Sequence, residues 1–174
     1  MAILHGWRTC PRCEGRLDND GTRAICGGRC GSIYYANSAP CVSALIEDGS
    51  GRLLLARRAI EPYLGLWDAP GGFLEEGEHP IDGLRREVLE ETGLEGRPER
   101  FVGAWMDLYG DAPEAAATLN LYWTVRLADG EPVAADDVAE LRWFDRDGLP
   151  AADELAFTTL VDVLAAWRAG TSAG

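Results

Sequence analysis

Residues 72–94 read GFLEEGEHPIDGLRREVLEETGL, and this stretch predicts a helix that carries a row of carboxylates. Pro80 suits the first turn of a helix and Gly93 suits a left-handed stop, so we expect a helix from Pro80 to Thr92. Its apolar positions form a stripe that is predicted to pack against a core, and they are Ile81, Leu84, Val88 and Leu89.

The acidic residues of this helix have a spacing that stability alone does not favour. Glu87, Glu90 and Glu91 stand at positions i, i+3 and i+4, which places their carboxylates on one face. Like charges so spaced repel, at a cost of a few tenths of a kcal/mol per pair. A divalent cation converts that repulsion into binding, because Mg²⁺ and Mn²⁺ favour hard oxygen ligands. The pattern therefore predicts a site for Mg²⁺ or Mn²⁺.

The whole stretch resembles the signature of the Nudix hydrolases, Gx5Ex7REUxEExGU with U an aliphatic residue. Every fixed position matches, and these are Gly72, Glu78, Arg86, Glu87, Glu90, Glu91 and Gly93. The resemblance implies a metal-dependent pyrophosphohydrolase that cleaves a nucleoside diphosphate linked to another moiety. It also implies that the Gly72 carbonyl and Glu87, Glu90 and Glu91 hold the metal, while Arg86 orients Glu78 and Glu90.

The general base of such a reaction has several candidates. Glu91 is one. Others lie in the acidic run at residues 136–140, just before a predicted strand, where Glu140 is our first choice and Asp137 the second. An ordinary acidic loop before a strand is the alternative interpretation of that run.

Four of the five cysteines lie in the first thirty residues, as Cys10, Cys13, Cys26 and Cys30. Two such pairs resemble a zinc ribbon, in which four thiolates hold a structural Zn²⁺ tetrahedrally. A segment this short buries little core, so a metal is expected to supply its folding energy. Two disulfides or a redox pair are the alternatives. Cys41 falls in an apolar strand and is expected to be a packed thiol.

The remaining pattern predicts an α/β chain with two domains, a small zinc ribbon at residues 1–37 and a larger domain at residues 38–174. Apolar runs predict strands at residues 42–47, 52–57, 100–108, 118–127 and 140–144. A final amphipathic helix is expected at residues 155–167, with a buried face of Leu155, Leu160, Val161, Leu164 and Trp167. This order fits the Nudix α/β/α sandwich, a mixed sheet between helices.

Composition limits the partners. No stretch approaches 18 uninterrupted apolar residues, so no membrane partner is expected. The first residues lack a basic segment followed by an apolar one, which favours a cytoplasmic location. The net charge of −13 argues against a nucleic-acid partner. We expect a small nucleotide substrate, and a homodimer is an open alternative to a monomer.

A zinc ribbon ahead of this signature resembles bacterial NADH pyrophosphatases, and ribbon-bearing relatives also act on ADP-ribose or other dinucleotides. The NADH enzymes carry a Ser-Gln-Pro-Trp type motif shortly after the signature. Residues 103–109 read GAWMDLY at the matching place, so that motif is missing.

Several residues are candidate substrate contacts. Trp67, Trp105 and Tyr109 each offer a flat ring that could stack on an adenine, with core packing as the alternative. Arg57 and Arg58 end an apolar strand, and one of them could face a terminal phosphate or a ribose, with exposure to solvent as the alternative.

Two other classes of function stay open. A nucleotide-sensing regulator would bind without turnover, although its signature would be expected to lose glutamates. The ribbon could also serve as a docking module for protein or nucleic acid, with catalysis incidental.

Overall fold

The computed structural model describes residues 4–110 and 115–170, which form two separate β-sheets and two α-helices. The smaller sheet is antiparallel and consists of β1 (Leu17–Asn19), β2 (Arg23–Cys26) and β3 (Ile33–Tyr35). It has a core of its own, formed by Leu4, Leu17, Ala24, Cys10 and Cys26. The domain boundary predicted after residue 37 falls between this sheet and the next strand, and it stays a prediction.

Seven strands form the larger sheet. They are β4 (Ala39–Glu47), β5 (Leu53–Arg58), β6 (Trp67–Asp68), β7 (Gly71–Phe73), β8 (Gly96–Tyr109), β9 (Ala116–Leu127) and β10 (Val138–Phe144). The order is β10-β5-β4-β9-β8, with β6 paired to β5 and β7 paired to β4. The sheet is mixed, because β4 and β9 run parallel while the other pairs are antiparallel. All five predicted strands are present, whereas β6 and β7 are too short to leave a sequence pattern.

Strand β4 changes its partner along its length. Ile46 and Glu47 pair with β5, whereas residues 41–43 pair with β7. Further along β5, Ala56 and Arg57 pair with β6 instead of β4. The two central strands therefore separate, and the opening between them lies where β7 begins.

Two helices cover opposite faces of the larger sheet. Because alternate residues of a strand face opposite sides, β4 directs Ala44 and Ile46 towards α1 (Pro80–Thr92) and Leu45 towards α2 (Leu160–Ala169). The α1 side includes Leu84 and Val88, and the α2 side is described below. The α/β/α sandwich with a mixed sheet is thus confirmed.

Helix α1 has the predicted bounds. Gly93 follows it with a φ of 72°, and its backbone N–H donates to the carbonyl of Leu89. Leu84 and Val88 are fully buried, as predicted. The prediction for Leu89 is wrong, because its side chain is 47% exposed and lies outside the core.

Helix α2 begins five residues later than predicted. Leu155 forms a parallel bridge with Trp67, and the backbone N–H of Ala156 donates to the Trp67 carbonyl at 2.8 Å. These bonds keep the backbone extended at Leu155, so the helix starts only at Leu160.

The buried face of α2 also differs in one position. Val161 was predicted to be buried but is 42% exposed, and Val163 takes its place in the core. Leu160, Leu164 and Trp167 are buried as predicted. In the two described ranges, neither helix has the length and apolar character needed to cross a bilayer.

Trp167 is the largest side chain that is almost completely buried, at 1% exposure. Its indole N–H donates to a carboxylate oxygen of Glu47, and the Arg146 guanidinium lies 4.8 Å from its ring centroid.

We expect Trp167→Ala to lower the free energy of unfolding by about 3–5 kcal/mol, because a large cavity replaces the ring. Urea denaturation measures this loss. Val161→Ala on the exposed face is the control, and equal losses in both variants would contradict the assignment of the core.

Candidate active site

The separation of β4 and β5 opens a cleft of about 340 Å³ beside α1. Its walls come from β4, the end of β5, β6, β7, α1, the end of β8, parts of β9, the loop before β10 with the first residue of β10, and the segment before α2. Seven carboxylates line it among the described residues, and these are Asp68, Glu75, Glu87, Glu90, Glu91, Asp136 and Asp137. The only cationic side chains in this lining, within the described ranges, are Arg58 and Arg86.

Two glycines let β7 approach its neighbours closely. Gly71 has a φ of 150°, and a Cβ atom there would lie 2.1 Å from the carbonyl oxygen of Val42. A Cβ atom on Gly72 would lie 2.6 Å from a carboxylate oxygen of Glu87. Residues with side chains would therefore push β7 off β4 and displace Glu87 from the cleft.

Arg86 joins three of the glutamates. Its Nε and Nη2 atoms donate to the two carboxylate oxygens of Glu78, each at 2.9 Å. Its Nη1 atom donates to Glu87 at 2.8 Å and to Glu90 at 3.0 Å. The bidentate contact with Arg86 lowers the pKa of Glu78 to about 2. Arg86 thus fixes the positions of Glu87 and Glu90 relative to one another.

Burial separates the glutamates of α1. Glu91 is 7% exposed, and one of its oxygens accepts a hydrogen bond from the backbone N–H of Gly71 at 3.0 Å. Burial raises the pKa of Glu91 well above its usual range, and nearby Asp68 and Glu87 add to this effect. Burial also raises the pKa of Glu87. Glu90 is more exposed. Ionising these neighbouring carboxylates together is costly because their charges repel. A bound cation would lower that cost, so this wall of the cleft suits a cation.

The acidic run before β10 divides between the cleft and the surface. Asp136 and Asp137 line the cleft, and the charge of Asp137 contributes to the raised pKa of both Glu87 and Glu91. Glu140, our first choice for the base, lies on β10 outside this lining. Its carboxylate pairs with Arg142 and lies 3.6 Å from Nη1 of Arg57.

The three aromatic candidates also divide. Tyr109 lines the cleft. Trp67 is buried in the α2 core at 6% exposure, with its ring edge-on to Phe144. Trp105 packs against the same core, edge-on to Tyr122. Neither tryptophan belongs to the described cleft lining, and this arrangement corresponds to the alternative of core packing.

The adjacent arginines at the end of β5 face different surroundings. Arg58 lines the cleft and pairs with Asp68 at 3.6 Å. Arg57 donates from Nε to the carbonyl of Gly65 at 2.8 Å and lies over Trp67, outside the described lining. Burial raises the pKa of Asp68 to about 6, with Arg58 opposing the shift.

Sequence reasoning missed Asp68, Phe73 and Phe157, which also line the cleft. Phe157 stacks on Tyr109 with ring centroids 6.2 Å apart, and Phe73 meets the edge of Tyr109 at 5.2 Å. Asp68 lies four residues before the signature stretch at 72–94 and Phe73 lies inside it, but neither occupies a fixed position of the signature. Phe157 comes from a segment far along the chain, so only the fold places it here.

The four amino-terminal cysteines converge in the smaller sheet. Their sulfur atoms all lie within 4.8 Å of one another, with Cys10 and Cys30 at 3.6 Å and Cys13 and Cys26 at 3.5 Å. A disulfide needs about 2.05 Å, whereas tetrahedral Zn–S bonds of about 2.3 Å separate two sulfurs by about 3.8 Å. Hydrogen bonds from Ser32 lower the pKa of Cys30 to about 6, which favours a thiolate. The four-cysteine cluster therefore fits zinc.

A family model described as the NUDIX domain matches residues 37–162. The chain belongs to the NUDIX family. The ADP-ribose pyrophosphatase of Methanocaldococcus jannaschii is 32% identical to this Nudix chain over 123 residues, which cover 71% of it and 69% of that protein. A NUDIX hydrolase from Nitrosomonas europaea has a solved structure that is 25% identical, with a TM-score of 0.75 and 96% of each chain covered.

Two other relatives are longer proteins. The mitochondrial NAD(P)H pyrophosphatase NUDT13 of Homo sapiens is 30% identical over 133 residues, which cover 76% of this chain. The NAD-capped RNA hydrolase NudC of Vibrio parahaemolyticus is 34% identical over 99 residues, which cover 56% of this chain. The matches span only 36% and 37% of those two proteins. Family and relatives together make this chain a Nudix pyrophosphatase.

Proposed function

We propose that this Nudix chain hydrolyses a nucleoside diphosphate linked to another moiety, by attack of water on the pyrophosphate. The products are a nucleoside monophosphate and a phosphorylated remainder. The observation that carries this proposal is the row of carboxylates on α1, which are partly buried and line a cleft of about 340 Å³. The ADP-ribose pyrophosphatase among the relatives supports ADP-ribose as the first substrate to test.

The carboxylates fit a divalent cation. Glu87, Glu90, Glu91 and the carbonyl of Gly72 are the groups that would hold Mg²⁺ or Mn²⁺, because all are hard oxygen donors at one wall of the cleft. When bound, the cation neutralises phosphate charge and lowers the pKa of a bound water. The raised pKa of Glu87 and Glu91 supports this assignment, since a cation would stabilise their ionised forms.

The side chains of the protein supply positioning and proton transfer. Arg86 holds Glu87 and Glu90 in place through Nη1. Asp137 is better placed than Glu140 to accept the proton of the attacking water, because it lines the cleft while Glu140 is paired with arginines on β10. Glu91 is the other candidate, but its oxygen is already bonded to the Gly71 N–H.

The two candidate substrates are ADP-ribose and a dinucleotide such as NADH, because the relatives include an ADP-ribose pyrophosphatase and an NAD(P)H pyrophosphatase. The residues at the place of the Ser-Gln-Pro-Trp motif lie on β8, and Trp105 among them packs into the core. This departure favours ADP-ribose over NADH. RNA with a NAD cap is a second candidate, favoured by the relatives named NAD-capped RNA hydrolase. The predicted absence of a nucleic-acid partner and the homodimer both stay predictions.

The four cysteines support a separate, structural role. We infer that residues 1–37 form a zinc ribbon with Zn²⁺ held by Cys10, Cys13, Cys26 and Cys30. Four thiolates fill a tetrahedral site and leave no position for water, so this metal would not take part in hydrolysis. Residues 38–174 then form the Nudix domain.

The first experiment is a substrate panel with Mg²⁺ or Mn²⁺, containing ADP-ribose, NADH, NAD, FAD, diadenosine polyphosphates, UDP-glucose, nucleoside triphosphates and NAD-capped RNA. We expect AMP release from one or two members. Glu90→Gln and Glu91→Gln should each lose at least about 100-fold in kcat/KM, because each removes a charged ligand. Glu76→Gln, at an exposed position outside the cleft, is the control. Metal-dependent binding of every compound without turnover would instead support a nucleotide sensor.

The general base can be tested by neutral isosteres. We expect Asp137→Asn to lower kcat by about 100-fold or more, within the usual contribution of general acid–base catalysis. Glu140→Gln should change kcat by less than about threefold, because its carboxylate lies outside the cleft lining. Steady-state kinetics with the best substrate of the panel gives both values. A larger loss of kcat in Glu140→Gln than in Asp137→Asn would instead identify Glu140 as the base.

Metal analysis tests the ribbon. We expect one Zn²⁺ per purified chain, and Cys26→Ser should reduce that content and melt the small sheet, because three sulfurs hold the metal less tightly. Cys41→Ser is the matched control, since Cys41 lies on β4 away from the cluster. Full zinc content in Cys26→Ser would argue against the four-thiolate site.

A further inference from the structure

Asp68 is a largely buried carboxylate in the wall of the cleft that the proposed mechanism does not use. It ends β6, and its side chain is 15% exposed. One of its oxygens accepts a hydrogen bond from the backbone N–H of Ala69 at 2.8 Å. The other lies 3.6 Å from Nη1 of Arg58. A buried carboxylate that is paired with a cation in the wall of the cleft points to a role for that pair.

Arg58 is held in a defined position by several contacts. Its Nε atom donates to the carbonyl of Pro62 at 2.8 Å, and its Nη2 atom lies 3.4 Å from the hydroxyl of Tyr109. The guanidinium lies 5.8 Å from the ring centroid of Tyr109 and 5.9 Å from that of Phe157. A guanidinium has five N–H donors, which is more than these acceptors require. Donors therefore remain for a ligand in the cleft.

The cleft is strongly acidic, so free cationic donors in its lining would favour the binding of an anionic ligand. The lining holds seven carboxylates, and Arg86 is already bonded to three glutamates. A diphosphate that enters such a cleft would be repelled by every carboxylate that a cation bound at α1 leaves unneutralised. Arg58 is the cation of the described lining that is not engaged with the glutamates of the signature stretch. It is thus placed to offset this repulsion.

We propose that Asp68 is a positioning residue, which holds Arg58 against the Tyr109–Phe157 pair so that the guanidinium binds the phosphate oxygens of the substrate. This inference rests on the proposed function, because it takes the ligand to be a nucleoside diphosphate derivative. Asp68 acts through Arg58 and does not touch the substrate. Tyr109 then supports Arg58, and it is not the platform on which a base stacks.

Binding of a ligand that cannot be hydrolysed tests this proposal. The probe is the α,β-methylene analogue of ADP-ribose, titrated calorimetrically into the full chain with Mg²⁺. We expect Arg58→Ala to raise Kd about tenfold or more, because charge-assisted hydrogen bonds to phosphate are lost. Arg57→Ala is the matched control from the adjacent position, whose side chain faces Gly65 and Glu140. It should change Kd by less than about twofold.

A double-mutant cycle separates positioning from direct contact. Asp68→Asn keeps the shape but removes the charge, and it should raise Kd about threefold to tenfold. In the Arg58→Ala background the same change should have no further effect, because Asp68 acts only through Arg58. Additive losses would overturn the proposal. An unchanged Kd in Arg58→Ala, or an equal loss in Arg57→Ala, would also overturn it.

Two further measurements keep the outcomes distinct. Thermal unfolding checks that each variant folds, and Arg58→Gln replaces Arg58→Ala if the alanine variant does not. Turnover of the substrate panel by wild type is scored separately from binding. Binding that depends on Arg58 without any turnover would reject the proposed function and retain the positioning role. Turnover by wild type, together with binding that does not depend on Arg58, would support the proposed function and reject the positioning role.

Discussion

The close approach of β7 to β4 is the constraint on which the site depends. Gly71 lies so near Val42 that no side chain fits between them, and its backbone N–H also bonds the buried carboxylate of Glu91. Because β7 takes the pairing positions that β5 leaves, the centre of the sheet opens without losing its backbone hydrogen bonds. Residues of β4 and β9, among them Cys41, Ser43 and Tyr122, therefore line the cleft. The absence of a side chain at Gly71 is therefore required both for the pairing of β7 with β4 and for the shape of the cleft.

Charge is the second constraint, and it opposes stability. Several carboxylates share one small volume, and burial makes the ionised forms of Glu87 and Glu91 costly. Arg86 offsets part of this cost by bonding three glutamates at once, and Arg58 is paired with Asp68 in the same cleft. Stability alone would not select such an arrangement, since a buried charge is usually paired or replaced by an apolar group. The imbalance supports the proposal that this cleft holds a divalent cation.

The sequence predicts well whatever depends on local geometry. Helix α1 and its three glutamates follow from spacing alone, because residues three and four apart share a helix face. Residues whose place depends on distant pairing are predicted poorly. A shift in register between Val138 and Glu140 leaves Asp137 at the cleft and Glu140 among arginines, and no sequence pattern reveals that shift. Trp67 likewise could face either side of the sheet until the bridge to Leu155 fixed it in the core.

The loop that carries Asp136 and Asp137 is attached through its backbone. The N–H groups of Val133 and Ala135 donate to carbonyls at the end of α1, and the carbonyl of Asp137 accepts from the N–H of Ala59. None of these bonds uses a side chain of the loop, although Asp136 has a φ of 53°, a conformation that Asp, Asn and Gly adopt more readily than other residues. The side chain at position 137 can therefore be exchanged without loss of the bonds that hold the loop, whereas position 136 is restricted by its left-handed backbone.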